Sequence, residues 1–173
     1  WIERLITMEE TSRADRSLER RIKLSRVGRF KALSDFDWSW PRKIEREAIE
    51  DLMELTFIKD AMNVILCGPN GTGKTTLAKN IAYAAIIRGH NARFVSASDM
   101  LSELATADGN HALRRRIKFY VQPSLLVVDE IGYLSYTNRY ADLLFEVISR
   151  RHHSKSTIVT TNRPFAEWKE IFP

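Results

Sequence analysis

The sequence predicts an α/β protein, a three-layer domain built on a parallel sheet and preceded by a basic helical extension. Three observations predict it. Four short apolar runs, 63–67, 92–96, 124–129 and 156–161, alternate with helical segments at about 74–88, 99–107, 110–121 and 140–152. Such runs suit strands covered on both faces, and strand–helix alternation implies right-handed crossovers. A glycine-rich bend, "GPNGTGK", joins the first run to its helix. Between Arg13 and Lys31, eight Arg or Lys stand against only Asp15 and Glu19.

With 173 residues and 44% hydrophobic composition, the chain is long enough for one well-buried domain plus an extension. Residues 1–41 are expected to form the basic extension and aromatic linker, and 42–173 the core. No apolar run approaches the roughly 18 residues of a membrane helix, so no membrane partner is expected. No secretory leader pattern opens the chain. It begins at Trp1 rather than Met, so the natural N-terminus is expected upstream. The single cysteine, Cys67, excludes an internal disulfide and suits a cytoplasmic protein. Its place at the end of an apolar run predicts a packing role. The net charge of +5 is compatible with nucleic acid or an acidic surface.

Residues 1 to about 33 read as one helix, with Leu18, Ile22, Leu24, Val27 and Phe30 as a rough apolar stripe. It is either a solvated helix resting on a neighbour or an arm that touches nucleic acid or a partner. In "SDFDWSWP", alternation puts Phe36, Trp38 and Trp40 on one side of an extended segment. These rings are expected to strap the extension onto the domain, with base stacking as the alternative. A helix over 42–61 follows, with Ile44, Ala48, Leu52, Leu55 and Ile58 on its buried side.

Gly68-Pro69-Asn70-Gly71-Thr72-Gly73-Lys74-Thr75, followed by Thr76, fits the phosphate-loop pattern between a strand and a helix. Converging backbone N–H groups need glycines where a side chain would obstruct the phosphates, and the helix dipole adds to their pull. Lys74 is expected on the β- and γ-phosphates of ATP, and the Thr75 hydroxyl on Mg²⁺. "LLVVDE" ends a second strand on Asp129, suited to the magnesium shell, and Glu130, suited to orient a water and take its proton. "STIVTTN" ends a third strand on Asn162, a candidate γ-phosphate sensor or a turn cap. The catalytic set is thus Glu130, Lys74 and Asn162. His90, His111, His152 and His153 show no zinc-ligand spacing.

Phosphate loop, "VVDE" strand and "TTN" strand, in that order, resemble the P-loop NTPase core of AAA+ ATPases. Within that class the chain is similar to the IstB transposition helpers, through "FDWSW", "LTFIKDAMNVILCGPNGTGKTTLA", "VVDEIGYL", "FEVISRRHHSKSTIVTTN" and "NRPFAEWKEIF". It resembles more distantly the DnaC and DnaI helicase loaders, whose segment after the sensor Asn reads differently. The IstB resemblance implies ATP-dependent self-assembly on duplex DNA and recruitment or activation of a transposase. It implies ATP shared between subunits, with an arginine finger expected beyond Pro173. Arg150 and Arg151 are further candidates to face a neighbour, or else cations placed at a helix C-terminus. The family's sheet places the phosphate-loop strand between the sensor strand and a fifth strand. The sequence stops before such a strand or a helical lid, so the natural protein is expected to continue.

The helical region 98–123 is the part that related initiators and loaders use on DNA. Here it carries Arg114, Arg115, Arg116 and Lys118. Three adjacent helical residues fan over about 200°, so two of the arginines are expected on phosphate. The alternative is a solvated charged face. Other readings are a helicase loader, a small-molecule kinase on the same loop, and a DNA scaffold that uses ATP only as assembly glue.

Overall fold

A computed structural model describes residues 1–41, 43–132 and 138–168, with the backbone alone at Phe165. The Tyr133-Leu134 end of "VVDEIGYL" and the last four residues of "NRPFAEWKEIF" lie outside the described residues.

The apolar runs form four parallel strands: β1 (Val64–Cys67), β2 (Ala92–Ser96), β3 (Leu125–Ile131) and β4 (Ser156–Thr161). Their order is β1-β4-β3-β2. The phosphate-loop strand therefore pairs with the strand that leads to Asn162, in register from Val64↔Ile158 to Cys67↔Thr161. The other helices are α1 (Ile2–Ser25), α2 (Arg46–Met53), α3 (Thr56–Lys59), α4 (Lys74–Ile87), α5 (Ala97–Ala105), α6 (Gly109–Val121) and α7 (Asn138–Arg151).

Two apolar layers flank the sheet. On one face, Ala78, Ile81, Ala85 and Ile86 of α4 pack with Leu55, Phe57 and Val27 onto Leu125, Val127 and Ile158. On the other, Met100, Leu101, Ile117, Tyr120, Leu144 and Val147 of α5, α6 and α7 pack onto Leu126, Val128 and Val159. The central strand β4 is buried at every position, and β3 at every position except Glu130. Edge strand β1 alternates between partly buried and exposed residues.

That alternation corrects the reading of Cys67. Val64 and Leu66 pack on the α4 layer, while Ile65 and Cys67 face away from it and are exposed. Among the described residues β1 is an outer strand, and an apolar run there can be wetted on one face.

The first helix is shorter than expected. Arg26 turns left-handed at φ 57°, Gly28 follows at φ 66°, and the buried Ser25 hydroxyl donates to Ile22 O and accepts from Val27 N–H. Of its stripe, Val27 is buried and Leu18 and Phe30 pack on the α4 layer, but Ile22 and Leu24 are exposed. Leu55, buried at φ 62°, breaks the expected 42–61 helix into α2 and α3. The break rotates the buried face, so Ile49 and Phe57 are buried and Ala48 is exposed. Trp40 is also exposed and does not strap the extension, whereas Phe36 and Trp38 meet edge to face at 4.9 Å.

Arg151 does not face outward. It is 1% exposed, and its guanidinium donates to the carbonyls of Tyr120, Val121, Pro123, Ser124 and Ser156 and to Thr157 Oγ1. It ties the end of α7 to the starts of β3 and β4. Burial lowers its pKa to about 10, so it stays charged at neutral pH. Arg150 remains on the surface, paired with Glu146 at 2.6 Å. Arg151→Ala strands several carbonyls and is expected to cost about 3 kcal/mol or more. Arg150→Ala should stay within about 0.5 kcal/mol. Urea unfolding midpoints of the two variants check this contrast.

Candidate nucleotide site

The bend after β1 continues the sheet for one more bond, Gly68 N–H to Thr161 O at 3.1 Å, and then turns away. Gly71 and Gly73 sit at φ 76° and 81°, where a side chain is strained. Thr72 closes the loop by donating to Pro69 O at 2.8 Å. α4 then begins at Lys74, and its first amides lack intrahelical partners. Asn70, Gly71, Gly73, Lys74, Thr75, Thr76, Glu130, Thr160 and Thr161 line one cavity of about 320 Å³.

Lys74 Nζ donates to Gly68 O and Pro69 O, each at 2.7 Å. An ammonium has three donors, so one remains for a ligand. Burial lowers its pKa, against the opposing pull of neighbours that include Asp129 and Glu130.

The Thr75 hydroxyl lies 3.0 Å from both Asp129 carboxylate oxygens. Asp129 is 5% exposed and accepts a second hydroxyl bond, from Thr160 at 2.5 Å. Thr160 Oγ1 in turn accepts the Glu130 N–H at 2.8 Å. At this point the β3–β4 register shifts between Val128 and Ile131, and Glu130 adopts φ 63°. A non-glycine residue there costs about 1–2 kcal/mol. The bulge turns Glu130 out of the buried strand into the cavity, where it is exposed. Asn162 directly follows β4, and its Oδ1 is buried without a hydrogen-bond partner among the described residues.

Sequence reasoning missed two members of this site. Thr160 holds the carboxylate, and its signal was a threonine inside a strand buried on both faces, where a hydroxyl needs a partner. Phe36 lies across the loop: a Cβ at Gly73 would stand 2.5 Å from its ring. Nothing local marks that contact, since 37 positions separate the two residues along the chain.

The helical region places its basic residues apart. Arg114, Arg115, Arg116 and Lys118 are all exposed on α6, whose buried side is Ile117 and Tyr120. Arg116 is paired with Glu103 at 3.4 Å. Arg114 and Lys118, four positions apart, share a face.

The donor set fits a magnesium triphosphate. The glycines leave room for phosphate, Lys74 keeps a free donor, and Thr75 and Asp129 bring together the hard oxygens that Mg²⁺ prefers. Fold and site therefore define a P-loop nucleotide-binding core of the AAA+ class. The family of IstB-like ATP binding proteins matches residues 1–173, and the chain belongs to that family. It is 36% identical over 168 residues to "Insertion sequence IS5376 putative ATP-binding protein" of Geobacillus stearothermophilus, covering 97% of this chain and 67% of that protein. Its similarity to the corresponding IS21 protein of Pseudomonas aeruginosa is 34% over 167 residues, covering 96% and 63%. The chain thus spans about two thirds of the length of these relatives. Among solved structures, the replication initiator DnaA bound to AMPPCP and single-stranded DNA superposes at TM-score 0.70 with 20% identity, covering 81% of this chain and 44% of that one. DnaI superposes at 0.67, also with 20% identity, covering 82% and 77%. At such identities the likeness is one of fold. No helix among the described residues is long and apolar enough to cross a membrane.

Gly73→Ala should weaken binding of a fluorescent ATP analogue at least tenfold, because φ 81° and the Phe36 ring both oppose a methyl. Adding Phe36→Ala removes the collision but leaves a backbone penalty of about 1–2 kcal/mol. The double variant should therefore recover part of the affinity in the same titration.

Proposed function

We propose that the chain is the ATPase core of a transposition helper that assembles with copies of itself on duplex DNA and engages a transposase. The observation that carries the catalytic part is Glu130, turned by a bulge into the cavity beside Lys74, Thr75 and Asp129. A strained, exposed carboxylate at that place serves hydrolysis better than a kinase, which must exclude water.

In this reading the loop amides and Lys74 hold the β- and γ-phosphates, and Thr75 and Asp129 would hold Mg²⁺. The metal supplies charge neutralisation on the phosphates. Glu130 takes a proton from the water that attacks the γ-phosphorus. The bond to the ADP oxygen breaks, and Asn162 donates a hydrogen bond to the attacking water or the γ-phosphate. Arg150 is available at the surface to meet a neighbour's nucleotide once it leaves Glu146.

The DNA part is supported by the exposed cations of α6 and by the insertion-sequence context of the relatives. The absence of a base-reading module in the sequence favours backbone binding that tolerates sequence.

Glu130→Gln is expected to retain ATP-analogue affinity within about twofold while turnover falls by about 10² or more. Lys74→Ala should lose affinity itself. Normal turnover by Glu130→Gln, measured as phosphate release, would sink the catalytic assignment. Replacing Arg114, Arg115 and Arg116 together with Ala should flatten the slope of log K against log salt by about 1–3, at roughly 0.9 per lost phosphate contact. Anisotropy titrations on labelled duplex measure that slope. Preference for single strands with capture of a hexameric helicase would replace this reading by a helicase loader.

A further inference from the structure

A second polar cavity, of about 450 Å³, lies at the opposite end of the sheet from the nucleotide loop. β2, β3 and β4 are parallel, so the residues that lead into them, Asn91, Pro123 and Lys155, share the amino edge. Strands of this length separate the two edges by about 15–20 Å. Helix α1 runs past this edge and closes the cavity with Arg20, Arg21 and Leu24.

Four cations line the space, Arg20, Arg21, Arg93 and Lys155, and no Asp or Glu does. None of the four makes an ion pair among the described residues. The nearby acid, Glu103, is already engaged by Arg26 at 3.0 Å, Arg116 at 3.4 Å and the Tyr120 hydroxyl at 2.5 Å.

Arg93 is the unusual member. It is 7% exposed, its guanidinium carbon lies 3.3 Å from the Phe119 ring centroid, and its Nε has no hydrogen-bond partner among the described residues. Burying an unpaired guanidinium is costly, and a native protein retains one mainly where something else completes it. Burial, and then the neighbouring Arg26, lower its pKa, against the opposing pull of Tyr120 and Glu103. Arg21 is fixed in place by donating to Ile86 O at 3.2 Å and Ser17 Oγ at 2.8 Å. Lys155 is held by Gln122 O.

We propose that this cleft between α1 and the amino edge of the sheet binds phosphates of a DNA backbone. Its ligand rests on the duplex-DNA reading above, but its residues are independent of Arg114 and Lys118. An extended polyanion fits better than a single acidic side chain because four cations and no acid line the cleft. Phe119 also lines the neighbouring cavity, where Arg26, Arg115 and Arg116 stand with Glu103 and Asp108, and α1 carries five cations toward its C-terminal end, Arg13, Arg16, Arg20, Arg21 and Lys23. Arginine forks match phosphate oxygens two at a time.

The test uses Arg20→Ala combined with Lys155→Ala, both away from the nucleotide cavity, in the intact chain. Labelled duplex is titrated across a salt series. The slope of log K against log salt should fall by about 1.8, at 0.9 per contact, and should add to the loss from the triple α6 variant. Pyrophosphate, titrated into a Lys74→Ala background to silence the nucleotide loop, should raise the melting temperature saturably. That rise should vanish with the two further substitutions. If the slope is unchanged while the α6 variant flattens it, the cleft is not a DNA site and the DNA reading stands. If wild type shows no duplex binding at all, both fall. Displacement by poly-glutamate with an unchanged DNA slope would overturn DNA as the ligand in favour of an acidic protein segment.

Discussion

A buried carboxylate shared by two hydroxyls holds the nucleotide site together. Asp129 accepts from Thr75 at the start of α4 and from Thr160 on β4, and so joins the phosphate loop to both central strands. A carboxyl group at 5% exposure is tolerable only with such hydrogen-bond partners. Thr160 also takes the Glu130 N–H, so one hydroxyl fixes the buried acid and pins the bulge that exposes the next one. Two adjacent carboxylates thereby acquire different environments. Asp129 is held by protein hydroxyls, whereas Glu130 is free to meet water.

The opposite end of the sheet is organised by cations. Arg151 fills the junction of α7, β3 and β4 and is satisfied by a ring of carbonyls, so its role is structural. Arg93 is buried nearly as deeply but has an unmatched Nε and a neighbouring Arg26. The two arginines differ in what surrounds them, and that difference separates a structural clamp from a candidate ligand contact. Helix α1 and the turn that ends it take part in both layers of this arrangement. Leu18 and Val27 join the α4 layer, while Arg26 pairs with Glu103 of α5 and lies 5.2 Å from the Phe119 ring.

Much of this was legible in local pattern. Short runs rich in apolar and β-branched residues, bounded by helices, placed all four strands within two residues, because such runs suit strands of a covered parallel sheet. The phosphate loop was legible because its glycines and lysine are consecutive and their spacing is set by the phosphates themselves. Helix ends were less legible. Arg26 and Leu55 adopt left-handed φ without being glycine, and only the packing of Val27 and Leu55 explains the turns there.

The sequence alone determined the strand–helix order, the loop that faces phosphate, and the two carboxylates at a strand's end, since each is written in neighbouring residues. The tertiary structure decided what depends on distant neighbours. Among the described residues it left Cys67 on the uncovered side of β1, laid Phe36 over Gly73, and gave Asp129 its second hydroxyl from Thr160. It also buried Arg151, which composition had left beside Arg150 as its equal. A residue's type fixes what it can bond, but its burial and its partners come from segments far along the chain.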